Sequence, residues 1–256
     1  MPNPAPPSRL RHSAHDFGLL MSRWDRVARE ARLAGVPLGE AGDLPVWALE
    51  TAGAAAGQEA VYLSAGVHGD EPAGVWALLR WAEKNVRLLR RGAFLLVPCF
   101  NPEGLIANTR ADARGVDLNR TFDDLSCPLM NTWQTWVRSR RLSLAVCLHE
   151  DYDALGCYVY ELSGRNVALS EKLLKACGDL MKRDLRRVID GNAARNGIVR
   201  RERIPKHVKG PEAILLRQLG CPVTLTFETA SELALENRVA VQCRFVEEAI
   251  AMVQHE

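Results

Sequence analysis

The sequence predicts an α/β fold: one domain with a mixed, mostly parallel twisted sheet and helices on both of its faces. Short apolar runs typical of strands alternate with longer segments in which apolar residues recur at helical spacing. The run at 93–100 is apolar almost throughout, as in a strand that is covered on both faces. The chain has 256 residues, of which 47% are apolar and 25% charged, so one sizeable core is expected.

The predicted elements follow from periodicity and from glycine and proline positions. Helices are predicted over 16–34, 72–90, 130–140, 165–187, 211–220 and 232–254. Strands are predicted over 45–51, 60–66, 93–100, 142–148, 156–162 and 221–228. Residues 52–57 are predicted to turn, and 101–129 and 190–210 to be irregular. The proline-rich residues 1–15 are predicted to be a flexible segment before a single domain at 16–256.

Composition argues against several classes of partner. The 33 basic and 31 acidic residues leave a formal net charge of only +2, which is too balanced for a protein whose main partner is nucleic acid. The seven cysteines are scattered and form no C-x-x-C pair, which indicates reduced thiols. The N-terminus has no apolar stretch typical of a signal peptide, and no run approaches the ~18 apolar residues of a membrane helix. A cytoplasmic protein without a membrane partner is therefore expected.

The stretch Ala65-Gly-Val-His-Gly-Asp-Glu-Pro-Ala-Gly74 joins a predicted strand to a predicted helix. His68 and Glu71 therefore lie at a strand's C-terminal end, where α/β sheets place their sites. An imidazole nitrogen and a carboxylate oxygen suit a Zn²⁺ ion, but a catalytic zinc site takes three protein ligands. The third must come from elsewhere in the chain.

His149 is the natural third ligand, because it follows the apolar strand at 142–148. Two histidines and one carboxylate leave a fourth position for water, which is the ligand count of a catalytic site and not of a closed structural one. The long stretch at 101–129 lies between these ligands in the chain, and irregular segments of that length inside a compact domain are commonly functional.

The motifs occur in a distinctive order. His68-x-x-Glu71 is followed by Asn101-Pro-Glu-Gly, Arg110, Gly115-Val-Asp-Leu-Asn-Arg, His149 and Thr226-Phe-Glu. In order and wording this series resembles the M14 zinc carboxypeptidase family, from about residue 60 to 230. The resemblance implies that 16–256 is a zinc carboxypeptidase-like catalytic domain that binds one Zn²⁺ ion.

The resemblance also implies residue roles. His68, Glu71 and His149 match the zinc ligands, and Glu228 matches the general base. Arg110 matches the arginine that stabilises charge on the scissile carbonyl, a task that suits a fixed cation. Asn119 and Arg120 match the pair that binds a substrate's terminal carboxylate, for which a planar guanidinium offers two hydrogen bonds.

The roles of the acidic residues need separate weighing. Glu228 shares one face of its predicted strand with Thr224 and Thr226, and alone it could equally be a solvated residue at a strand end. Glu150, Asp151 and Glu161 are rivals for the role of general base, but Glu150 follows a proposed ligand directly, so in extended backbone its side chain is expected to point away from the metal. For Asp117, orienting a ligand or an arginine and a buried structural role are both open.

The sequence departs from the family at two positions. Many members have a mobile tyrosine before the general base, but no tyrosine lies between Tyr160 and Glu228. That role is absent here, or it belongs to His207 or an arginine of 200–203. Cys147 stands two residues before His149, where several relatives place an acidic residue, so a contact that orients the ligand is expected to be missing.

Three functions follow. The leading one is zinc-dependent hydrolysis of an amide or peptide bond next to a free carboxylate, of the carboxypeptidase or murein-peptide amidase type. The first alternative is deacylation of N-acyl amino acids, as in the aspartoacylase and succinylglutamate desuccinylase branch. The nine-residue spacing from Arg110 to Asn119 and the expected lack of a further C-terminal domain favour the peptidase branch. The second alternative is a non-catalytic domain that binds carboxylates.

Overall fold

The computed structural model describes residues 13–164, 169–204 and 210–254. The helices are α1 (Phe17–Ala31), α2 (Ala52–Ala55), α3 (Pro72–Lys84), α4 (Val86–Arg91), α5 (Pro102–Ala107), α6 (Pro128–Arg138), α7 (Leu169–Ala176), α8 (Glu212–Gln218) and α9 (Leu235–Gln254). The strands are β1 (Ala34–Ala41), β2 (Leu44–Glu50), β3 (Ala60–Ala65), β4 (Phe94–Val97), β5 (Leu142–Asp151), β6 (Tyr158–Ser163), β7 (Val188–Ile189), β8 (Asn192–Ala193), β9 (Ile198–Arg201) and β10 (Val223–Ala230). A 3-10 turn spans Leu118–Arg120.

Eight of the described strands form one sheet in the order β1-β2-β4-β3-β5-β10-β6-β9. The central strands β4, β3, β5 and β10 are parallel. β1 and β2 pair antiparallel with their neighbours, and β6 pairs antiparallel with β10 but parallel with β9. The C-terminal ends of β3, β5 and β10 therefore share one edge of the sheet. This edge is where the sequence places His68, His149 and Glu228.

Two apolar clusters cover the two faces of the sheet. On one face, α1, α3, α7 and α9 pack on residues such as Leu63, Val146 and Phe227. On the other face, α6 and α8 pack around Tyr62 and Cys147. Helices on both faces confirm the predicted architecture. The central parallel strands lie between two apolar layers, which give rigid support to a site at the ends of these strands.

The N-terminal half differs from the predicted elements at its margins. β1 is a strand that the sequence analysis missed, because its glycines and Pro37 conceal the apolar pattern and such residues are tolerated on an edge strand. The predicted turn at 52–57 contains the short helix α2, and Asn85 divides the predicted helix at 72–90 into α3 and α4. The irregular stretch at 101–129 contains α5, and β5 continues through His149.

The C-terminal half differs more. The predicted helix at 165–187 is wrong beyond Ala176, because Cys157 exchanges backbone hydrogen bonds with Lys182 and Asp184 and draws that segment alongside the sheet. The predicted loop at 190–210 contains part of the β7–β8 hairpin and all of β9. His207 lies outside the described residues, as do residues 1–12 of the predicted flexible segment; Ala14 and His15 contact Trp76 and Leu105.

All seven cysteines are free thiols, and six of them are buried. Among the helices of the described residues, none combines the length and the apolar character that crossing a membrane requires.

Candidate metal centre

The loop after β3 is shaped by close backbone packing. Gly69 lies against the backbone of Gly104, so closely that a side chain at Gly69 would overlap it. Gly104 is positioned in turn by Asn101, whose side chain accepts a hydrogen bond from its N–H at 2.9 Å. The N-P-E-G motif therefore acts on the site indirectly: it caps α5 and supports the loop that carries His68.

Three side chains converge at the sheet edge. The Nδ1 atoms of His68 and His149 lie 2.5 and 2.9 Å from the two carboxylate oxygens of Glu71. One ligand atom from each residue lies within 4.8 Å of the others, and all three residues are buried. His68 and Glu71 come from the β3–α3 junction and His149 from β5, so the structure brings together the two separated parts of the predicted ligand set.

Asp117 connects this cluster to Arg110. Its carboxylate lies 3.2 Å from Nε2 of His68, accepts a hydrogen bond from Nε of Arg110 at 3.1 Å and forms an ion pair with Nη2 of the same side chain at 3.0 Å. Nη1 of Arg110 is thereby directed towards the cluster, 3.6 Å from Glu71. Of the two readings open for Asp117, the geometry supports the orienting one, and it acts on a histidine and an arginine together.

The electrostatics of the cluster suit a bound cation. Although burial opposes charge on the imidazole, the Glu71 carboxylate and the hydrogen bond to Asp117 raise the pKa of His68 to about 9. Burial likewise opposes ionisation of Glu71, but the two histidines lower its pKa to about 2. The cluster thus stabilises positive charge beside the Glu71 carboxylate. Two nitrogen ligands and a carboxylate are also the donor set of many catalytic zinc sites, so the residues present fit a zinc ion.

Glu228 completes this part of the site. On β10 it pairs in register with His149 of β5, so both side chains are on the same face of the sheet. The carboxylate is almost buried, and its Oε2 has no hydrogen-bond partner among the described residues. Burial raises the pKa of Glu228 to about 8, while His149 counteracts the shift. Thr224 and Thr226 line the same cavity, which supports the predicted polar face of this strand.

Asn119 and Arg120 lie on the 3-10 turn, beside the start of α8. The amide oxygen of Asn119 accepts a hydrogen bond at 3.0 Å from the backbone N–H of Glu212. Because its oxygen is engaged there, the NH₂ group is the end of Asn119 that remains to donate to a ligand. The backbone of Arg120 packs against Gly210, whose φ of +98° and close approach exclude a side chain.

All seven predicted site residues line one cavity of about 460 Å³. The structure adds residues to this cavity that no motif indicated: Tyr152, Tyr158, Tyr160, Asp190 and Asn192. They come from the end of β5, from β6 and from the segment of β7 and β8. Arg201, one of the arginines of 200–203 named as alternatives to the missing tyrosine, also lines the cavity, and the pairing of β9 with β6 brings it there.

The two predicted departures from the family have structural counterparts. Tyr158 and Tyr160 reach the cavity from β6, and their hydroxyls donate to Asp151 and Asp190 at 3.0 and 2.7 Å. Beside Cys147, the buried Glu212 accepts a hydrogen bond from the Tyr62 hydroxyl at 2.5 Å. Burial, followed by the charge of Glu212, raises the pKa of the Cys147 thiol. A carboxylate thus lies next to position 147, supplied by α8.

Comparisons with known proteins support the motif-based resemblance. Residues 57–144 match the Succinylglutamate desuccinylase/Aspartoacylase catalytic domain. Carboxypeptidase SOL1 from Arabidopsis thaliana is 30% identical over 128 residues, which cover 41% of this chain and 26% of that protein. Murein peptide amidase A from Escherichia coli is 43% identical over 68 residues, which cover 27% of each. The chain thus spans about a quarter of the length of the curated relatives it matches.

Similar solved structures cover nearly the whole chain. A Shewanella amazonensis protein, assigned provisionally as a metallopeptidase, has a TM-score of 0.82 and 22% identity, with coverage of 93% of this chain and 94% of that one. The metallo-carboxypeptidase from Burkholderia cenocepacia has a TM-score of 0.68 and 16% identity, with coverage of 98% and 70%. The predicted resemblance is confirmed: this is a single α/β domain with the fold of the metallocarboxypeptidases, and residues 57–144 match the related desuccinylase/aspartoacylase catalytic domain.

Proposed function

We propose that the protein is a zinc-dependent hydrolase that cleaves an amide or peptide bond next to a free carboxylate, of the carboxypeptidase or murein-peptide amidase type. One observation carries the proposal: His68, Glu71 and His149 converge at the same sheet edge as Glu228, with Arg110, Asn119 and Arg120 in the same cavity. This set contains ligands for one ion, a base, a cation for developing charge and an anchor for a carboxylate.

His68, Glu71 and His149 would hold the zinc ion. When bound, zinc supplies a Lewis acid that polarises a carbonyl and lowers the pKa of water to about 7. Glu228 accepts the proton of the attacking water through Oε2, which has no hydrogen-bond partner among the described residues, and delivers the proton to the leaving amine. Arg110, held by Asp117, stabilises negative charge on the carbonyl oxygen.

Asn119 and Arg120 position the substrate. The NH₂ group of Asn119 and the guanidinium of Arg120 donate to the free carboxylate next to the scissile bond. Arg120 is exposed at the cavity, and its Nη1 donates to the neighbouring Asn119 carbonyl at 3.0 Å. Among the described residues no other hydrogen bond engages its guanidinium, which supports a role in binding a substrate.

The cavity also bears on the substrate class. Its wall contains the carboxylate of Asp190 and the guanidinium of Arg201, which contacts the Asn192 amide. A wall with both charges offers partners to a polar or charged side chain of the substrate. These charged groups and the partial likeness to murein peptide amidase A favour a cell-wall-derived peptide as the substrate over the peptides that digestive carboxypeptidases cleave.

Deacylation of N-acyl amino acids is the second candidate, and it is favoured by the family match over residues 57–144. Both candidates need zinc, Glu228 and a carboxylate anchor, so only the substrate separates them.

The test measures zinc content and then hydrolysis of murein peptides, C-terminal dipeptides and N-acyl amino acids, with Glu228→Gln as the matched control. Zinc-dependent cleavage of peptides with a free carboxylate supports the first candidate, and cleavage of acyl amino acids alone supports the second. If zinc-loaded protein cleaves none of the three classes, the proposed function is rejected.

A cytoplasmic location, like the predicted lack of a nucleic-acid partner, stays a prediction.

A further inference from the structure

Helix α3 directly follows the candidate ligand Glu71 and lacks the usual side-chain cap. Glu71 occupies the N-cap position, but its side chain makes no capping hydrogen bond because its carboxylate is directed to His68 and His149. Pro72 has no N–H, so Ala73 carries the first backbone donor of the helix that needs a partner. A metal ligand at an N-cap therefore leaves a buried donor for another group to satisfy.

Glu150 supplies that acceptor from the neighbouring strand. Its Oε1 accepts a hydrogen bond from the Ala73 N–H at 2.6 Å. In the opposite direction, the backbone N–H of Glu150 donates to Oε2 of Glu71 at 3.1 Å. Glu150 thus accepts from Ala73 through its side chain and donates to Glu71 through its backbone, and these two hydrogen bonds fix the start of α3 relative to the end of β5. His149, the ligand on β5, directly precedes Glu150.

Helix α9 holds this junction from behind. Arg238 forms an ion pair with Oε2 of Glu150, and both side chains are largely buried. One turn later, the amide of Gln242 donates to the His149 carbonyl at 3.0 Å and to the Thr229 hydroxyl at 2.8 Å. The backbone of His149 and the side chain of Glu150 are therefore both fixed by the same helix.

We propose that Glu150 is a positioning residue that ties Glu71 to His149, with Arg238 holding its carboxylate in place. These hydrogen bonds fix the distance between the two separated ligand motifs before the metal binds. Ordering the ligands therefore takes less of the free energy of metal binding. The proposal rests on the metal site of the proposed function and not on its reaction. The alternative is that Glu150 and Arg238 are an ordinary buried ion pair that only supports the fold.

The test measures zinc affinity of the metal-free protein by competition with a chromogenic chelator, without substrate. Glu150→Ala is expected to weaken zinc binding by about 10- to 100-fold, the range for residues that orient metal ligands. Glu150→Gln keeps an oxygen for the Ala73 N–H and is expected to recover most of that loss. Arg238→Met leaves the Glu150 carboxylate without its partner and is expected to weaken zinc binding by less than Glu150→Ala does.

The matched control is Glu50→Ala, which breaks another buried pair. Glu50 on β2 accepts hydrogen bonds from Arg140 and Trp136 and lies outside the cavity lining. It is expected to lower the unfolding temperature and to leave zinc affinity unchanged. Unchanged affinity in Glu150→Ala, or an equal loss in Glu50→Ala, would overturn the proposal. If Glu150→Ala does not fold, Arg238→Met decides by the same criterion.

Loss of amide hydrolysis is a separate outcome. Because zinc affinity is measured without substrate, a wild-type protein that binds zinc but cleaves nothing would reject the proposed function and leave this test in force. Cobalt substitution adds a second readout: a change in the visible absorption of the Co²⁺ form of Glu150→Gln or Arg238→Met, with none in Glu50→Ala, reports altered ligand geometry and not altered stability.

Discussion

Glu228 lies directly beside His149, paired in register on the adjacent parallel strand, and Tyr158 pairs with it from the antiparallel strand on the other side. Residues paired across a sheet project from the same face, so the carboxylate is held between a metal-ligand candidate and a phenol. This relationship depends on two strands more than 70 residues apart in the chain. It supports the role proposed for Glu228 and the first prediction.

Glu228→Gln is expected to lower kcat by about 100- to 10,000-fold, the usual contribution of a general base. Zinc content is expected to stay at the wild-type level, because Glu228 is not one of the three clustered ligands. Steady-state kinetics and metal analysis on the same preparation check both points. A variant that turns over at near wild-type rate would assign the base to another residue.

Asn119→Asp separates the two ends of the amide. The new carboxylate still accepts the hydrogen bond from the Glu212 N–H, so the turn is retained, but the donor to the substrate is replaced by negative charge. KM for substrates with a free carboxylate is expected to rise at least about tenfold, as expected for loss of a charged hydrogen bond. Arg120→Ala is expected to act in the same direction, and neither change should affect the corresponding C-terminal amides. Equal effects on acids and amides would contradict the anchoring role.

Asp117→Asn tests the link between His68 and Arg110. The amide cannot accept from the guanidinium as strongly as the carboxylate does, so Arg110 is expected to lose its fixed direction. A decrease of about 10- to 100-fold in kcat is expected, together with weaker zinc binding. Kinetics and chelator competition measure the two effects. A loss confined to KM would argue that Asp117 acts on the substrate and not on these two residues.

Asp184 gives a pH-dependent prediction away from the metal site. Burial opposes its ionisation, but the Arg186 side chain and the N–H groups of Arg186 and Leu155 hold the pKa of the carboxyl below its usual value. The pKa in the unfolded chain is about 3.9. The stabilisation is therefore fully present above about pH 4 and is lost as pH falls through the lower folded-state pKa.

Asp184→Asn is accordingly expected to reduce the free energy of unfolding by about 2 kcal/mol at pH 7, the scale of hydrogen bonds to a buried charged group. The difference from wild type should shrink as pH falls below about 4. Urea denaturation at pH 7, 5 and 3 measures it. Exposed Asp179 serves as the control, and Asp179→Asn should change stability by less than about 0.5 kcal/mol. A gap that is as large at pH 3 as at pH 7 would contradict the assignment.

The alternation of strand-like and helix-like segments was enough to predict the α/β class, and the polar residues at the strand ends were enough to predict the sheet edge and the three clustered residues. Those predictions depend on local patterns, since an apolar run that ends in His149 or a strand that turns into a helix at His68 is visible within ten residues. The orientation of Glu150 away from the ligands was also predictable, because side chains alternate along extended backbone.

Other features depend on contacts between distant segments. The residues after Ala176 leave their helical pattern because Cys157 pairs with Lys182 and Asp184, and β9 forms because β6 offers an edge. An arginine of 200–203 was a candidate from the sequence, but no local pattern shows which one reaches the cavity or that it lies there with Asp190. The approach of Glu212 to Asn119 was not predicted for the same reason.

By itself, then, the sequence determined which chemical groups are present and at which strand ends they emerge. The tertiary structure alone decided how they are held: by the hydrogen bonds of Glu150 with Glu71 and Ala73, by the bridge of Asp117, and by the hydrogen bond that orients Asn119. The physical reason is that periodicity reports burial along one segment, whereas hydrogen bonds between segments form only after the sheet has aligned them.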